Sequence, residues 1–330
     1  MKKDIYIFTS GELQRKNDTL LFDGEEGKKY IPVTDVESIH VFGEVNVNKS
    51  LLEFLSQQEI VLHFYNYYDY YVGSYYPREH LNSGYVILQQ CQCYLDSDIR
   101  LQLARSFIEG AANNILQNLK YYVRRGCDLA EAIDTISKMA QTLRDQASIE
   151  QIMAVEGNIR QVYYQGFNAI VQNPDFRFVS RSKRPPKDKI NSLISFGNSI
   201  MYTMVLSQIY QTQLDPRIGY LHSTNERRFT LNLDVAEIFK PILVDRTIFS
   251  LLNKKVLTGK DFGKELDGIL LKEDGRKKFI QELNSKLETT ISHPNLKTRV
   301  SYKQLIRMEL YKLQKFMTEG EVYSPFDAKW

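Results

Sequence analysis

The sequence predicts a two-domain α+β protein, in which a small N-terminal β domain is followed by a larger all-α domain. A chain of 330 residues is long for a single domain. Residues 1–76 contain short runs rich in Ile, Val, Phe and Tyr that glycines separate, which is typical of β-strands. Beyond residue 84 the apolar residues recur every three or four positions, which indicates helices. The hydrophobic fraction of 43% is that of a globular protein with a substantial core.

The predicted β domain spans residues 1–76 and contains several strands and one short helix. The helix is predicted over 49–57, where leucines share one face. The tyrosine-rich run at 64–71 has two interpretations. It fills strands and a hairpin, or it forms a face for a partner or a dimer, because tyrosine covers a large area at low entropy cost. The predicted strands are 4–9, 19–22, 38–42, 60–65 and 70–75.

A polar segment at 77–84 is predicted to link the two domains, and the helical domain spans residues 85–330. Its first long helix is indicated by apolar residues at every fourth position, which are Ile99, Leu103, Phe107, Ala111, Ile115 and Leu119. Further helices are predicted over 129–145, 149–172, 190–211, 234–253, 276–290 and 301–318. No apolar run approaches the roughly 20 residues that span a bilayer, so we expect a cytoplasmic protein without membrane contact.

Charge is unevenly distributed along the chain. The net charge is +3, yet residues 1–76 carry an acidic excess and the remainder carries a basic excess. This pattern is expected if only the second domain binds a polyanion, and ordinary scatter among solvated faces is the alternative. The most basic segment is 177–189, where six Lys and Arg residues stand against Asp188 alone. Such a loop contacts phosphates without reading base sequence, or it is merely solvated.

Glu156 lies in a predicted helix together with basic and aromatic side chains. The spacing places Arg160, Tyr163 and Tyr164 on the same helical face as Glu156. A carboxylate that shares a face with two tyrosines is unusual for a solvated surface. The alternative is an ordinary surface ion pair between Glu156 and Arg160, which are four residues apart.

Imidazole and carboxylate side chains follow in separate segments. His222 comes after a turn at 215–220, where site residues often collect, although a lone histidine is more often packed or hydrogen-bonded. Asp234 and Glu237 are three residues apart and share a helical face, which is either solvated or held near one cation. Two carboxylates and one imidazole make an incomplete coordination shell for a divalent cation. Its open positions would accept a phosphodiester and a water or hydroxyl group.

The order and spacing of several short motifs resemble those of a known family. The motifs are Glu-Gly followed by tyrosines at 156–164, SKRPP at 182–186, NSLISFG at 191–197, GYLH at 219–222, LDVAEIFKP at 233–241 and YSPF at 323–326. Together they resemble the CRISPR-associated integrases, the universal adaptation proteins that insert spacers into CRISPR arrays in antiviral defence. The resemblance covers essentially the whole chain, including the β-then-α order of the domains. The pattern is most similar to the type I-B branch.

This resemblance implies a metal-dependent DNA endonuclease and integrase. In the family a Glu, a His and an acidic residue bind the catalytic metal, and these match Glu156, His222 and Glu237, with Asp234 as a further acid nearby. The cation would be Mn²⁺ or Mg²⁺, and neutral imidazole suits manganese better than magnesium. The nucleophile would be the 3′-hydroxyl of spacer DNA in integration, or water in nuclease action. His222 could act as a general base instead of a ligand.

Two positions depart from the family pattern. The third ligand, Glu237, is aspartate in some members, so the helix that carries it would stand slightly further from the metal. Lys240 takes the place of a frequent arginine, which keeps the charge but loses bidentate phosphate geometry. The predicted phosphate contacts are Arg181, Lys183, Arg184, Arg227, Arg228 and Lys240.

Partners are also implied by the resemblance. A homodimer would join through the β domains, and two dimers would bridge a small ferredoxin-like second adaptation protein that sets spacer length. DNA would be bound as the spacer fragment and as the repeat array. Two other functions stay open: a DNA-binding subunit whose metal site is structural, and a metal-dependent nuclease that works in repair.

Overall fold

Two structural units follow one another along the chain. The structure, a computed structural model, describes residues 2–78, 81, 83–222, 229–265, 268–292 and 298–328. The units are Met1–Asn82 and Ser83–Trp330, and their division falls within the segment at 77–84 that was interpreted as a linker. Strands dominate the described part of the first unit and helices dominate that of the second, which confirms the predicted fold class.

In its described residues, the first unit consists of two four-stranded sheets and a short helix. Its elements are β1 (Lys3–Ile7), β2 (Gly11–Lys16), β3 (Thr19–Gly24), β4 (Gly27–Pro32), β5 (Val36–Val41), β6 (Val45–Val47), α1 (Lys49–Gln57), β7 (Val61–Tyr65) and β8 (Tyr71–Tyr75). One sheet has the order β1-β5-β7-β8, with β8 antiparallel to three parallel strands. The other has the order β4-β3-β2-β6. Apolar side chains of both sheets and α1 form one core, including Leu13, Leu20, Ile39, Leu51 and Leu62.

The sequence analysis missed β2, β4 and β6. Leu13 is the one buried residue of β2, and Ile31 is the one buried residue of β4. These strands therefore lack the clustered apolar side chains by which strands were recognised. They form because β3, whose Leu20, Leu21 and Phe22 are buried, pairs with β2 on one side and β4 on the other.

A buried polar network lies on the face of the β1-β5-β7-β8 sheet opposite to the apolar core. His40 and His63 are paired across β5 and β7, and alternation along the strands places them away from the neighbouring core residues. The two imidazole rings lie 4.8 Å apart between centroids, and both residues are fully buried. His40 contacts the Tyr65 hydroxyl at 2.9 Å and Ser38 Oγ at 3.0 Å, while His63 contacts Ser74 Oγ at 2.7 Å. Hydrogen bonds to these hydroxyl groups offset the loss of hydration that burial of the polar rings causes.

The buried histidines predict that the first unit loses stability in mild acid. Burial, followed by the effect of His40, holds the pKa of His63 well below 6.5, and Asp4 only partly offsets this. The unfolded chain binds a proton that the folded unit does not, so the free energy of unfolding falls as the pH drops below 6.5. Calorimetric scans from neutral pH to about pH 5 should show this decline, and it should be weaker in His63→Asn, which cannot be protonated. An equal decline in both proteins would contradict the assignment.

In its described residues, the second unit is predominantly helical. The helices are α2 (Gly84–Leu95), α3 (Ser97–Val123), α4 (Ala130–Gln141), α5 (Ile149–Ile170), α6 (Lys189–Tyr210), α7 (Leu231–Lys240), α8 (Arg246–Asn253), α9 (Glu273–Glu288) and α10 (Tyr302–Glu319). Two short antiparallel pairs accompany them, which are β9 (Phe262–Lys264) with β10 (Ile269–Leu271) and β11 (Thr290–Ser292) with β12 (Arg299–Ser301). The all-α description omitted these pairs, because three-residue strands are too short to show a two-residue period. None of the helices in the described segments has both the length and the apolar composition that a bilayer crossing requires.

Side-chain caps define the starts of α5 and α6. Ser148 accepts a hydrogen bond from the backbone N–H of Gln151 at the start of α5. Asp188 does the same for Asn191 at the start of α6, at 2.8 Å. Each cap satisfies an N–H that has no partner within the helix. Helix α6 is buried on nearly all sides, so it forms the centre of the unit, and α7 packs against it.

The helix predicted over 234–253 is interrupted after α7. Residues Pro241–Asp245 form one π-helical turn between α7 and α8. Proline has no N–H to donate and its ring crowds the preceding turn, which disturbs a regular helix at this point. The carbonyl of Pro241 accepts a hydrogen bond from Asn118 Nδ2 of α3 at 3.2 Å. The wide turn leaves Asp245 in the interior, where it is 1% exposed.

A C-terminal segment is attached to the outer side of α7 through Asn114 of α3. Asn114 Nδ2 donates to the carbonyl of Ile238 at 2.9 Å and to that of Phe326 at 3.0 Å. Its Oδ1 accepts from the backbone N–H of Ala328 at 2.9 Å. One buried amide therefore joins α3, α7 and the C-terminal segment.

We expect Asn114→Ala to destabilise the second unit by about 3 kcal/mol, because three buried hydrogen bonds are lost and their partners stay buried. Urea unfolding followed by far-UV circular dichroism measures the change. Asn113→Ala is the matched control, since Asn113 is the exposed neighbour on the same helix, and it should shift stability by no more than about 0.5 kcal/mol. Equal stability of the two variants would show that Asn114 does not hold these elements together.

Candidate active site

The predicted ligand residues come from three separate segments of the second unit. Glu156 lies on α5, His222 follows α6 in the turn before α7, and Glu237 lies on α7. Their side chains are mostly buried, with exposures of 18%, 13% and 4% respectively. Charges within this set shift the pKa values of its members, so the three side chains lie close enough to interact electrostatically.

Asp234 holds the turn that carries His222. Its Oδ2 accepts hydrogen bonds from the backbone N–H of Tyr220 at 2.6 Å and of Leu221 at 3.1 Å. Its Oδ1 accepts from the backbone N–H of His222 at 3.0 Å and from His222 Nδ1 at 2.8 Å. Asp234 is fully buried, so both of its oxygens are committed to these donors. This acid therefore positions the histidine and does not offer an oxygen to a metal.

The imidazole of His222 is oriented by the same carboxylate. Burial alone would lower the pKa of His222, but the hydrogen bond and the charge of Asp234 raise it, and Glu237 and Glu156 add to the rise. Because Nδ1 donates to Asp234, the neutral ring presents Nε2 as its lone-pair nitrogen. Metal-binding histidines commonly donate the other ring N–H to a carboxylate in this way. The arrangement orients Nε2 for either role that the sequence left open, metal ligand or general base.

Glu237 is paired with two buried cations. Its Oε2 accepts a hydrogen bond from Arg160 Nη2 at 2.6 Å, and its Oε1 accepts one from Lys240 Nζ. Burial would raise the pKa of Glu237, but Lys240 and Arg160 bring it down to about 2. Arg160 also lies near Glu156, with 3.8 Å between Nε and Oε1, and is 9% exposed. These ion pairs therefore lie in the interior of the unit. They differ from the ordinary surface pair between Glu156 and Arg160 that the spacing alone allowed.

Asp245 is a buried carboxyl group near Arg160 and Glu237. It was not among the residues predicted from the sequence. It accepts a hydrogen bond from Tyr163, whose hydroxyl itself accepts one from Asn118 Nδ2 at 2.8 Å. Burial raises the pKa of Asp245 to about 7, despite the positive charge of Arg160. Asp245 Oδ2 and Arg160 Nη1 have no hydrogen-bond partner among the described residues. In the sequence, an acidic residue within the apolar run after Pro241 was the signal that could have pointed to Asp245. The inward direction of its side chain follows from the π-helical turn.

The donor set fits a divalent cation in chemical terms. Carboxylate oxygens from Glu156 and Glu237 together with Nε2 of His222 are ligands that Mn²⁺ accepts, and the carboxylates also suit Mg²⁺. In the described segments, no three His, Cys, Asp or Glu side chains already converge as a formed cage. Glu237 faces Arg160 and Lys240 instead. A divalent cation that binds Glu237 would therefore meet two positive charges already beside its carboxylate.

The basic loop at 177–189 connects α5 to α6 and is fixed to α6 through its own side chains. Arg181 donates to Asn191 Oδ1 at 2.8 Å and to Ser195 Oγ at 3.0 Å. Asn191 Nδ2 donates in turn to the carbonyl of Ser180 at 2.8 Å. Arg181, predicted as a phosphate contact, is therefore a part-buried residue that gives the loop a defined course.

Lys183 and Arg184 are the exposed basic residues of this loop among the predicted phosphate contacts. Desolvation of its ammonium group lowers the pKa of Lys183, the charges of Arg181 and Lys240 add to the lowering, and the charge of Glu156 opposes it. Lys183 therefore lies close to the ligand residues. Two other predicted contacts, Arg227 and Arg228, lie outside the described residues.

Lys240, predicted as a phosphate contact, is paired with Glu237 in the interior. It is 5% exposed, and its ammonium donates to Glu237 and to the Tyr202 hydroxyl, the latter at 2.6 Å. Burial alone would lower the pKa of Lys240, but the charges of Glu237 and Tyr202 raise it. A buried, paired ammonium does not contact phosphate as an exposed lysine would, so in this arrangement Lys240 is part of the ion cluster.

Asp234→Asn should destabilise the second unit by about 3 kcal/mol, because an amide cannot accept from all four donors and its NH₂ group would face backbone N–H groups. Denaturant unfolding measures the change. The matched control is Asp134→Asn on α4, an exposed residue paired with Lys138, which should cost no more than about 0.5 kcal/mol. If Asp234→Asn proves as stable as this control, Asp234 does not hold the His222 turn.

Comparison with known proteins identifies the family of the chain. Residues 5–285 match the sequence family described as CRISPR associated protein Cas1. The chain is 56% identical over 330 residues, 100% of both sequences, to a CRISPR-associated endonuclease Cas1 from Thermodesulfovibrio yellowstonii.

Solved structures show the same similarity in the fold. A Cas1 protein from Thermotoga maritima matches with a TM-score of 0.89 and 42% identity, over 99% of this chain and 100% of that one. A casposase bound to integration product shares the fold at 20% identity and a TM-score of 0.88, over 100% and 95% of the two chains. A Cas6-RT-Cas1–Cas2 complex shares it at 17% identity and 0.86, over 100% of this chain and 36% of that one. The chain belongs to the Cas1 family of CRISPR-associated proteins.

Proposed function

We propose that this chain is a divalent-metal-dependent DNA endonuclease and integrase of CRISPR adaptation. It would insert spacer DNA into the repeat array through attack of a 3′-hydroxyl on a phosphodiester. The observation that carries the proposal is that Asp234 holds the His222 imidazole by Nδ1, while Glu156 and Glu237 lie near enough for their charges to raise its pKa. A relative that is 56% identical is named an endonuclease, and the structurally similar casposase is bound to an integration product.

The cation would be held by Glu156, His222 and Glu237. When bound, Mn²⁺ or Mg²⁺ polarises a phosphodiester and stabilises the charge that develops on its oxygens. Asp234 keeps the His222 ring from rotating, so that Nε2 stays available on the side away from the turn. The presence of an imidazole favours manganese over magnesium.

Other residues prepare the site for a polyanion. Lys183 and Arg184 would contact the DNA backbone, which gives affinity without sequence readout. Arg160 separates the two ligand carboxylates and offsets their repulsion. Burial and then the charge of Glu237 raise the pKa of Glu156, which is the direction that such repulsion gives.

The proposed assembly is a cytoplasmic homodimer joined through the β domain at residues 1–76. Two dimers would bridge a small ferredoxin-like second adaptation protein, and the helical domain, residues 85–330, would bind the spacer fragment and the repeat array. Tyr67 and Tyr68 are 65% and 41% exposed, and exposed tyrosines are frequent in protein interfaces. The complex that a Cas6-RT-Cas1 protein forms with Cas2 is a precedent for such a partner.

A DNA-binding subunit with a purely structural metal is the weaker alternative. Arg160 of α5 joins α5 to α7 through Glu237. An ion pair of the chain's own side chains thus ties these helices together. A repair nuclease would use the same residues, so only its choice of substrate would distinguish it.

A half-site integration assay tests the proposal. The chain is given a fluorescent DNA fragment with a free 3′-hydroxyl and a supercoiled plasmid, with Mn²⁺ or with EDTA. We expect joined product only with Mn²⁺, reduced at least about 100-fold in Glu156→Gln and in His222→Ala. Glu150→Gln, an exposed glutamate at the start of the same helix as Glu156, should retain wild-type joining.

Joined product that persists in both site variants would contradict the assignment of the site. If the wild type binds DNA but joins none, the assay is repeated with the second adaptation protein present. Continued absence of product would then favour the structural-metal alternative. Equal joining to plasmids with and without a repeat array would favour the repair nuclease.

A further inference from the structure

The ion cluster of Glu237, Arg160 and Lys240 places a resident cation at each carboxylate oxygen of Glu237. Arg160 Nη2 lies 2.6 Å from Oε2, and Lys240 Nζ is bonded to Oε1. The three side chains are at most 10% exposed, so solvent screens these pairs weakly. A side chain expected to bind a divalent cation is thus neutralised by cations of the chain itself.

Two cations of the chain, Arg160 and Lys240, share the one carboxylate of Glu237. A buried ion pair is costly to separate unless a new partner replaces the lost one. A divalent cation that binds Glu237 is repelled by both resident cations, and moving one of them away from the carboxylate relieves this repulsion.

We propose that Arg160 and Lys240 hold Glu237 in a resting state, and that a divalent cation displaces the Lys240 ammonium from Oε1 when it binds. The inference rests on the proposed function in assuming that a divalent cation binds at Glu156, His222 and Glu237. Lys240 is the exchangeable partner because it has a second acceptor. Its Nζ lies 2.6 Å from the Tyr202 hydroxyl and 4.5 Å from the centre of that ring.

Displacement changes the role of Lys240. In the resting state its charge cancels that of Glu237. After the exchange, Glu237 no longer cancels the ammonium charge, which then attracts a phosphodiester. Cation and DNA phosphate then bind cooperatively, and each raises the affinity of the other by the same factor. Lys240 becomes a phosphate contact only in the cation-bound state, which reconciles its burial here with the expectation from the family.

Calorimetric titration of the full chain with MnCl₂, in the absence of DNA, tests the exchange. Lys240→Met removes the ammonium, keeps most of the side-chain length and frees Glu237 Oε1. We expect Mn²⁺ to bind this variant at least about tenfold more tightly than the wild type, equivalent to about 1.4 kcal/mol. Lys240→Arg keeps a competing cation and should bind Mn²⁺ much as the wild type does.

Two further variants separate exchange at Oε1 from a general change in charge. Lys183→Met removes a lysine whose charge acts on Glu237 through space, and Lys187→Met removes an exposed lysine of the same loop. Both should tighten Mn²⁺ binding by clearly less than Lys240→Met does. Equal gains in all three variants would overturn the exchange, as would unchanged or weaker binding in Lys240→Met.

A separate measurement checks that the variant protein is folded. Far-UV circular dichroism and melting in EDTA report whether Lys240→Met is folded. Should it not fold, Tyr202→Phe replaces it, because loss of the hydroxyl removes the acceptor that receives the displaced ammonium. This variant should bind Mn²⁺ more weakly than the wild type, and unchanged affinity would overturn the exchange.

The result also separates the exchange from the proposed function. Tighter Mn²⁺ binding in Lys240→Met, together with no DNA joining by the wild type, would support the exchange and reject the integrase activity. Absence of Mn²⁺ binding in the wild type and in every folded variant would overturn the exchange. DNA joining with unaltered Mn²⁺ affinity in Lys240→Met would retain the function and reject the exchange.

Discussion

One buried carboxylate, that of Asp234, connects α7 to the turn that carries His222, and the candidate site depends on this connection. It accepts from three consecutive backbone N–H groups and from the imidazole, and hydrogen bonds to a charged acceptor are among the stronger ones. The turn approaches closely because Gly219 has no side chain. A Cβ there would lie 2.9 Å from Asp234 Oδ2 and 2.8 Å from Thr230 Oγ1. Since Glu237 lies one turn further along α7, the placement of His222 relative to Glu237 follows from this contact.

The sequence identified the ligand candidates, but it could not assign their separate tasks. Spacing correctly placed Asp234 and Glu237 on one helix, and the motif order pointed to Glu156 and His222. Spacing on one helical face does not show which carboxylate accepts hydrogen bonds from the His222 turn and which one pairs with cations. The partner of Glu237, Arg160, is 77 residues away in sequence, so only the folded chain shows the pairing. Local patterns carry no information on such tertiary partners.

Asp245 was missed because it ends the π-helical turn that follows Pro241, where the regular helical period is broken. Lys240 lies one turn beyond Glu237 on α7, and this regular spacing allows the two to pair. Strands β2 and β4 were missed because pairing with β3, not their own apolar content, stabilises them. The fold class was predictable since it rests on long periodic segments. The details of the site were not, since they rest on one proline and on contacts between distant helices.

The two units bury polar groups by different means. The first unit keeps His63 neutral between hydrogen-bonding neighbours, whereas the second pairs full charges at Glu237. Neutral networks give a stable scaffold but little driving force for ion exchange. Paired charges can change partners, which suits a site that must accept a metal and a phosphate. This contrast agrees with a structural first unit and a reactive second unit.

Asn114 has a consequence for how the protein is made. It attaches α7 to peptide groups of Phe326 and Ala328, which leave the ribosome long after α7 itself. A nascent chain therefore carries Glu237 before it carries the segment that supports the helix bearing it. Final packing of α7 can occur only late in synthesis. For a protein whose proposed chemistry cuts and joins DNA, this order separates the first appearance of the reactive residues from the first appearance of activity.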